Sequence, residues 1–168
     1  MRTEVGKVEQ RQGLAAGGKS GETIAQSMLE RFPAGVKVTS TASNRVNATV
    51  DRSVLYKVAE FLKNEMDFEH VTSVSGVDWY PENRMQAVFH ITSYANRVTA
   101  EIVVDLPRDS PEVDSITPLW GGANWNERET YDMFGIIFKG HPRLERILTA
   151  PGSDYFPYRE DFAGGRRV

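Results

Sequence analysis

The chain has 168 residues, of which 40% are hydrophobic and 26% are charged, and its formal net charge is −3. This balance is typical of a one-domain globular protein, and it excludes the basic footprint that binding to nucleic acid or anionic lipid requires. The sequence has no apolar run of about 18 residues and no apolar secretory segment at its start, so we expect a cytoplasmic protein that does not span a bilayer.

The cysteine content limits the chemistry that the chain can perform. The sequence contains no cysteine, which excludes disulfides, thiol nucleophiles, cysteine-ligated iron–sulfur clusters and cysteine zinc sites. Its three histidines, His70, His90 and His141, lie far apart and have none of the short spacings of a local metal site. We therefore expect the chain to bind no iron, zinc or flavin of its own.

Two helices are predicted in the first part of the chain. Residues 1–21 are polar and contain several glycines, so we interpret them as a flexible N-terminal arm. Apolar residues at helical spacing predict a first helix from Glu22 to Phe32, with Ser20 near its N-cap. A second helix is predicted from Ser53 to Met66, with Asp51 or Ser53 as its cap.

Alternating apolar residues predict the strands of one sheet. The stretch from Val36 to Val50 alternates around a turn, and the segments MQAVFHITSY and RVTAEIVVDL form a predicted hairpin from Met85 to Leu106, joined at Ala95-Asn96. Strands that follow helices in this way are typical of an α+β domain. We predict that residues 22–138 form this domain, with both helices packed on one face of a mainly antiparallel sheet.

A short charged helix is predicted at residues 123–134, with the sequence ANWNERETYDMF. Asn124 is a suitable cap, and Gly135 is a natural C-terminal stop. Neither face of this helix is cleanly apolar, which is unusual for a helix half-sunk in a core. Charged residues beside tryptophan and phenylalanine instead indicate ion pairs at a crowded junction.

The spacing of these charges leaves two interpretations open. Arg128 and Asp132 are four residues apart and share the face of Trp125 with Glu129, which suits a surface pair worth a few tenths of a kcal/mol. A general acid–base pair instead requires two carboxylates that face one substrate across a cleft. Glu127 and Glu129 are two residues apart and point in different directions, which disfavours catalysis.

Two other features lack the pattern that ligand binding requires. His141 precedes Pro142 in a predicted turn, where a turn-stabilising hydrogen bond is favoured over a role as a base or a metal ligand. The stretch GGANWN at Gly121 is too short for a phosphate-binding glycine loop and lacks its lysine.

The last part of the sequence, residues 139–168, is irregular and aromatic. Prolines and glycines break any long element, but the aromatic residues Tyr155, Phe156, Tyr158 and Phe162 argue against disorder. We interpret this segment as an extended tail that lies on the surface of a partner.

The stretch from Trp125 to Leu148, WNERETYDMFGIIFKGHPRLERIL, resembles the signature of the thirty-kilodalton subunit of respiratory complex I, which belongs to the peripheral arm of NADH:quinone oxidoreductases and their relatives. The match has a Glu-Arg-Glu core, an aromatic residue before Asp132, and then Phe-Gly-Ile, Gly-His-Pro and Arg-Ile-Leu. Upstream, VTSVSGVDWY, the hairpin and the DSITPLW loop resemble the family's N-terminal domain. The ending DYFPYREDF departs from the family's usual ending at Tyr158 and Glu160.

The resemblance implies a structural role in a complex I-like membrane-bound oxidoreductase. Such subunits carry no cofactor and pack against the large quinone-site subunit and the iron–sulfur subunits, so iron–sulfur clusters are expected on the partners only. The resemblance implies a peripheral position on the cytoplasmic side of the cell membrane, with the membrane contacted only through the complex. No nucleic-acid partner is implied.

The expected subunit interface combines the charged helix with the tail. We expect the helix to be buried where domain, tail and partner meet, with Arg128, Arg146 or Arg159 pairing with its carboxylates, because a planar guanidinium holds a carboxylate at two points. The predicted interface residues are Glu127, Arg128, Glu129, Asp132, His141, Arg146, Tyr155, Phe156, Tyr158, Arg159, Asp161 and Phe162.

The sequence keeps three alternatives open. Homologous subunits serve F420H2 dehydrogenases, ferredoxin-dependent complexes and energy-converting hydrogenases, and nothing in these residues identifies the electron donor. A stand-alone hydrolase that uses Glu127 or Glu129 with His141 would lack an identifiable nucleophile, metal set or phosphate loop. A free-standing adaptor domain would bind its partners without iron–sulfur subunits in the complex.

Overall fold

The computed structural model describes residues 18–162, so most of the predicted N-terminal arm lies outside the described residues. None of the described helices is long and apolar enough to cross a lipid bilayer. The elements within these residues are α1 (Gly21–Arg31), β1 (Val36–Ala42), β2 (Arg45–Val50), α2 (Leu55–Glu65), β3 (His70–Trp79), a 3-10 turn (Tyr80–Glu82), β4 (Arg84–Ser93), β5 (Val98–Pro107), β6 (Glu112–Asp114), α3 (Ala123–Phe134) and β7 (Ile137–Lys139).

Five strands form the central sheet in the order β1-β2-β5-β4-β3. Neighbouring strands are antiparallel except β2 and β5, which run parallel because the chain crosses through α2, β3 and β4 before β5 begins. The predicted hairpin is confirmed as β4 and β5, and the α+β class with a mainly antiparallel sheet is confirmed with it. A separate parallel pair, β6 with β7, was not predicted, because three-residue strands are too short to show alternation.

The hydrophobic core lies between one face of the sheet and the first two helices. Alternate residues of β4 are buried there, among them Met85, Phe89 and Ile91, because successive side chains of a strand point to opposite faces. Ile24 of α1 and Leu62 of α2 belong to the same cluster. Each such side chain contributes about 1.5–3 kcal/mol when it is removed from water.

The caps of the first two helices differ from each other. Ser20 caps α1 as predicted, since its hydroxyl accepts a hydrogen bond from the N–H of Thr23 at 3.3 Å. Asp51 instead closes a turn before α2, where it accepts the N–H and hydroxyl of Ser53 at 2.8 and 2.6 Å. Because these two groups bind each other, the prediction that one of them caps the helix is wrong, and α2 begins at Leu55 without a side-chain cap.

The ends of α3 show one correct and one wrong prediction. The helix begins at Ala123 with Gly122 as its N-cap, so Asn124 lies inside the helix. Backbone carbonyls of the preceding turn replace the predicted side-chain cap, because they accept the N–H groups of Ala123 and Asn124. Gly135 ends the helix as predicted, with the positive φ of 78° that glycine adopts readily.

The N-terminal boundary of the domain lies slightly earlier than predicted. The N–H of Lys19 donates to Asn96 Oδ1 at 2.8 Å, and its ammonium group donates to the carbonyl of Glu65 at 2.9 Å. Residues 18–21 therefore belong to the folded domain rather than to an arm, because these contacts fix the backbone just before α1.

The described tail, residues 140–162, consists of turns and contains no helix or strand, as predicted. It folds back over α3, where the N–H of Tyr158 donates to the carbonyl of Met133 at 3.0 Å. The tail therefore rests on a helix of its own chain, and its contact with a partner stays a prediction.

Candidate functional site

The charged helix α3 presents one side to the domain and the other to the tail. Its domain side carries Ala123, Glu127 and Thr130, which are at most 3% exposed, and the hydroxyl of Thr130 donates to a carbonyl of β3 at 3.0 Å. A Cβ atom on Gly76 of β3 would lie 2.7 Å from the ring of Phe134. Glycine at this position therefore allows α3 to pack directly on the strand.

Glu127 is completely buried on the domain side of α3. Its carboxylate accepts hydrogen bonds from the hydroxyl of Ser115 at 2.5 Å, the N–H of Ile116 at 2.8 Å and the hydroxyl of Thr117 at 2.9 Å. Burial raises the pKa of this carboxyl, and the hydrogen bonds offset that effect only in part. The side chain therefore fastens the loop after β6 to the helix.

His141 lies next to Glu127 with its side chain fully buried. Its Nε2–H donates to the carbonyl of Asn124 at 3.3 Å, and its Nδ1 accepts the N–H of Arg143 at 3.0 Å. Burial lowers the pKa of the imidazole, which fits this neutral tautomer, and Nε2 is 4.0 Å from a carboxylate oxygen of Glu127. His141 thus makes the turn-stabilising hydrogen bond that the sequence predicts.

Asp132 is completely buried on the opposite side of the helix, beneath the tail. Its Oδ2 accepts the N–H groups of Ile147, Leu148 and Thr149 at 2.8, 2.7 and 3.0 Å, and its Oδ1 accepts the hydroxyl of Thr149 at 2.5 Å and Arg146 at 2.8 Å. Burial alone would raise the pKa of Asp132, but these donors outweigh it and hold that pKa well below its usual range.

Arg128 does not pair with Asp132, so the interpretation as an i,i+4 pair is wrong. The Arg128 guanidinium stacks on Trp125, 4.9 Å from the ring centroid, and donates to the carbonyl of Glu145 at 3.2 Å. The carboxylate of Glu145 is 4.0 Å away. Asp132 is bound by the tail instead, through the guanidinium of Arg146 and the backbone N–H groups of residues 147–149. These donors fill the hydrogen-bonding capacity of the carboxylate.

The two tail arginines bind different parts of α3. Arg146 pairs with Asp132, as expected, and lies over Phe156 with 4.8 Å between the guanidinium and the ring centroid. Arg159 does not pair with a helix carboxylate: its Nε–H donates to the carbonyl of Phe134 at 2.7 Å. That carbonyl lies at the C-terminal end of the helix, where backbone acceptors lack partners within the helix and a cation is favoured.

The tail aromatics divide into enclosed and exposed rings. Phe156 is half-buried, and a Cβ atom on Gly135 would meet its ring at 2.7 Å. Tyr158 packs edge-on against the last residue of α3, and Tyr155 stacks on Phe162 with 5.2 Å between ring centroids. Tyr155 and Tyr158 are nevertheless 41% and 62% exposed, so these two rings keep the most surface for a partner.

A second ion-pair cluster, which the sequence patterns did not reveal, anchors the end of the described tail. Arg108 donates to both oxygens of Asp78 at 2.8 and 3.1 Å and to Asp161 at 2.6 Å. Asp78 also accepts the N–H of Glu160 at 3.0 Å. Arg108 is separated by 30 residues from Asp78 and by 53 from Asp161, so no local spacing could have indicated this cluster.

The outward side of α3 is only partly covered. Trp125 is 64% exposed, and Leu148 of the tail is 62% exposed. Glu129 is also exposed, one helical turn after Trp125, and within residues 18–162 its carboxylate has no hydrogen-bond or ion-pair partner. Of the three charges in the Glu-Arg-Glu core, Glu129 is therefore the one left free on the described surface.

The described surface has cavities, but the buried carboxylates do not line either of two that flank the sheet and the tail. One, of about 700 Å³, lies beside β1, and another, of about 600 Å³, lies between the tail and α3. Neither Glu127 nor Asp132 contributes to either cavity. In the described part of the chain, no group of three or more His, Asp or Glu residues is placed to hold a metal ion.

The fold and the buried ion pairs define a class of protein: an α+β domain whose folded-back tail is fastened to one charged helix. The model of the family described as respiratory-chain NADH dehydrogenase, 30 Kd subunit, matches residues 48–168, which include this helix and the whole tail. The chain belongs to this family and is a subunit of a complex of the NADH-quinone oxidoreductase type.

Individual relatives extend the similarity over most of the chain. The C subunit of the F(420)H(2) dehydrogenase of Methanosarcina mazei is 39% identical over 144 residues, which is 84% of this chain and 91% of that relative. The C 2 subunit of the NADH-quinone oxidoreductase of Rhizobium etli is 41% identical over 138 residues, which is 80% of this chain and 73% of the relative. The solved structure of the trypsin-resistant fragment (1–134) of Nqo5 has a TM-score of 0.62 and 28% identity, over 72% of this chain and 99% of that one.

Proposed function

We propose that this chain is a non-catalytic structural subunit in the peripheral arm of a complex I-like membrane-bound oxidoreductase, which couples electron transfer to a quinone-type acceptor with ion translocation. The hydrogen bonding and the burial of Glu127 and Asp132 support this proposal. Asp132 accepts five hydrogen bonds and Glu127 accepts three, and neither lines one of the two large cavities. Neither is therefore positioned to exchange a proton with a substrate.

The proposed partners are the large quinone-site subunit and the iron–sulfur subunits of the same complex. Trp125, Leu148, Tyr155 and Tyr158 support a docking role, because all four are large side chains that are 41–64% exposed. Aromatic anchors of this kind commonly cost about 2 kcal/mol or more of binding free energy when they are truncated. The buried interface residues, such as Asp132, would act indirectly by holding this surface in shape.

We further propose that the chain binds no cofactor, and that the iron–sulfur clusters lie on its partners. The absence of cysteine supports this, since it removes the usual cluster ligand. Metal analysis and an absorption spectrum of the separately expressed chain test it. Stoichiometric iron or zinc, or a visible chromophore, would contradict the proposal.

The proposed location is peripheral, on the cytoplasmic side of the cell membrane, with attachment through the complex. The membrane-bound assembly, rather than the lipid itself, would retain the chain. Washing membranes with a chaotropic agent should release the chain together with the other peripheral subunits. Retention of the chain by protein-free vesicles would contradict this attachment.

A second candidate concerns the electron donor. The Methanosarcina mazei relative is an F(420)H(2) dehydrogenase subunit, and the alignment spans 91% of its length. This match favours an F420H2 dehydrogenase over an energy-converting hydrogenase, whereas the Rhizobium etli relative favours NADH. Oxidation rates of NADH and of reduced F420 by the purified complex decide between the two donors.

Co-purification tests the proposed function itself. An affinity tag on this chain in its own host should recover a membrane complex with cluster-bearing subunits, and deletion of the chain should remove that complex. Recovery of the chain alone, in a form that hydrolyses a substrate, would instead support the stand-alone enzyme. Recovery with partners that contain no iron–sulfur protein would support the adaptor domain.

A further inference from the structure

The outward side of α3 carries exposed residues that the described chain covers only in part. At 3.6 residues per turn, Trp125, Glu129 and Asp132 fall on one side of the helix axis, and the exposed Gly121 and Gly122 form the turn that leads into the helix. The tail covers Asp132, but it leaves the first two turns and the preceding glycines exposed. We call Gly121, Gly122, Trp125, Glu129 and the neighbouring Leu148 the outer face.

Neither glycine of the outer face is required by a steric clash or by a positive φ within the described chain. A Cβ atom on either Gly121 or Gly122 would meet nothing within 4 Å, and neither residue has a positive φ. At Gly76, by contrast, a Cβ atom would lie 2.7 Å from a ring, and Gly135 has a φ of 78°. Glycine in an unstrained, open position lowers stability relative to alanine, because it increases the entropy of the unfolded chain. Close approach of another backbone would account for both residues.

The charge of the outer face indicates the chemistry of what covers it. The free carboxylate of Glu129 lies one helical turn from Trp125, and Asp132, three residues further on, binds the N–H of Leu148 at 2.7 Å. An exposed carboxylate with exposed apolar side chains nearby is complementary to a cation flanked by apolar groups. Arg128 is not available as that cation, because it stacks on Trp125 and binds the carbonyl of Glu145.

The dimensions of the outer face fit a short extended segment. The helix rises about 1.5 Å per residue, so its N-cap Gly122 and Asp132 lie about 15 Å apart along the axis. An extended chain advances about 3.3 Å per residue, so about five residues span this distance. A segment of that length can place one basic side chain at Glu129 and apolar side chains on both sides of it.

We propose that an extended segment from a neighbouring protein of the complex lies across the outer face, with its backbone against Gly121 and Gly122 and an arginine or lysine paired with Glu129. Apolar side chains of the segment rest on Trp125 and Leu148. This proposal rests on the proposed function, in which the chain has neighbouring subunits, and it names the place and the chemistry of one contact.

Substitution at Gly121 separates contact with a partner from folding. Gly121→Gln adds a side chain where the chain itself has open space, so the melting temperature of the separately expressed full-length protein should stay within about 2 °C of wild type. Recovery of tagged chain in the membrane complex should fall at least tenfold. If Gly121→Gln lowers the melting temperature further, Gly121→Ala serves in its place, with the same fall in recovery expected. Normal recovery with a stable variant overturns the proposal.

A charge reversal tests the paired cation. Glu129→Lys should also reduce recovery at least tenfold, whereas Glu60→Lys, on the exposed side of α2, should leave recovery unchanged. Equal recovery for Glu129→Lys and wild type overturns the pairing. Failure of the wild-type chain itself to enter any complex would refute the proposed function instead, so the two failures are distinguishable.

Cross-linking identifies the covering segment in the purified complex. Benzoylphenylalanine at position 125 should attach to a neighbouring subunit within a few residues of an arginine or lysine. The same probe at exposed Tyr94, on the β4–β5 turn, serves as the comparison site. Attachment from position 125 to lipid, to a segment without a basic residue, or to nothing while position 94 reacts, overturns the proposal.

Discussion

Glu127 and Asp132, the two buried carboxylates of α3, are equally buried, but they lie on opposite sides of the helix and bind different partners. Glu127 faces the domain, where hydroxyl and backbone donors bind it and no cation does; Nε2 of the neutral His141 is 4.0 Å away. Asp132 faces the tail and binds Arg146 together with three backbone N–H groups. Burial accordingly raises the pKa of Glu127, whereas the donors lower that of Asp132.

The domain and the tail are therefore held to α3 by different kinds of interaction. The Glu127 side of α3 is fixed by hydrogen bonds within the domain, and charging its carboxylate costs stability. The Asp132 side is fixed by a charge that organises otherwise irregular backbone around itself. Irregular backbone needs such an acceptor, because its N–H groups have no partners in a helix or sheet. The tail should therefore depend on the charge at Asp132, and the domain should not depend on the charge at Glu127.

Asp132→Asn should have the largest effect. The asparagine carbonyl can still accept the three backbone N–H groups, but the NH2 group that replaces Oδ1 cannot accept the hydrogen bonds of Arg146 and Thr149, and Arg146 loses its counter-charge. Loss of one partner of a buried pair typically costs about 3–5 kcal/mol. Hydrogen exchange should show residues 144–162 opening at least about a hundredfold more often, while β4 and β5 keep their protection.

A matched substitution and a pH series serve as controls. Glu129→Gln makes the same kind of change on the exposed side and should leave exchange unaltered. The folded pKa of Asp132 lies below its ordinary value of 3.8, so its stabilisation is complete above that pH and is lost as the pH falls through the folded pKa. Equal tail protection in Asp132→Asn and wild type would show that this carboxylate does not hold the tail.

Arg108→Met should have an intermediate effect, confined to the end of the tail. It leaves the side chain of Asp78, which is 1% exposed, without its cation, and it releases Asp161. Losing hydrogen bonds to charged groups costs about 1.5–3 kcal/mol each, so residues 158–162 should detach before residues 144–149.

Arg84→Met is the matched surface control for Arg108. Arg84 pairs with Glu82 and Asp105, which are 55% and 47% exposed, so its loss should cost under about 1 kcal/mol of unfolding free energy. Chemical denaturation of both variants measures the difference. Equal costs would mean that the cluster at Asp78 is no stronger than an exposed pair.

Glu127→Gln should have the smallest effect, and it should act on the domain rather than on the tail. The amide can still accept the N–H of Ile116 and can donate to the two hydroxyl groups, so we expect a cost of about 1 kcal/mol in domain stability. The folded pKa of Glu127 is raised, so its contribution is complete below the ordinary value of 4.5 and is lost as the pH rises through the folded pKa.

Chemical denaturation at several pH values tests the direction in which the contribution of Glu127 to stability changes with pH. The advantage of wild type over Glu127→Gln should shrink as the pH rises above about 4.5 and through the folded pKa of Glu127, since only wild type carries this titration. An advantage that grows over the same range would mean that the domain depends on the charge of Glu127, as the tail does on that of Asp132.

The elements that the sequence predicts correctly are those with local causes. The cap at Ser20, the hairpin from Met85 to Leu106 and the stop at Gly135 each depend on residues within a few positions. The family signature also lies in one continuous stretch, from Trp125 to Leu148. It can therefore be recognised in the sequence although the sequence does not show which of its residues contact each other.

The predictions that are wrong concern residues whose partners are distant in the chain. Arg128 and Asp132 have the spacing of a pair, but the partner of Asp132 is Arg146, 14 residues away, because the tail turns back over the helix. Asp78 and Arg108 have no local signal at all. The path of an irregular tail follows from such tertiary contacts, which spacing rules for helices and strands do not contain.

Asp132→Asn in the host distinguishes a carboxylate that holds a surface in place from one that reacts. Complex content and turnover per assembled complex are measured on the same membranes. We expect the content to fall severalfold or more, and the complex that does assemble to turn over at a near-normal rate. Normal content with turnover reduced about a hundredfold, as loss of a positioned acid or base would cause, would contradict the account.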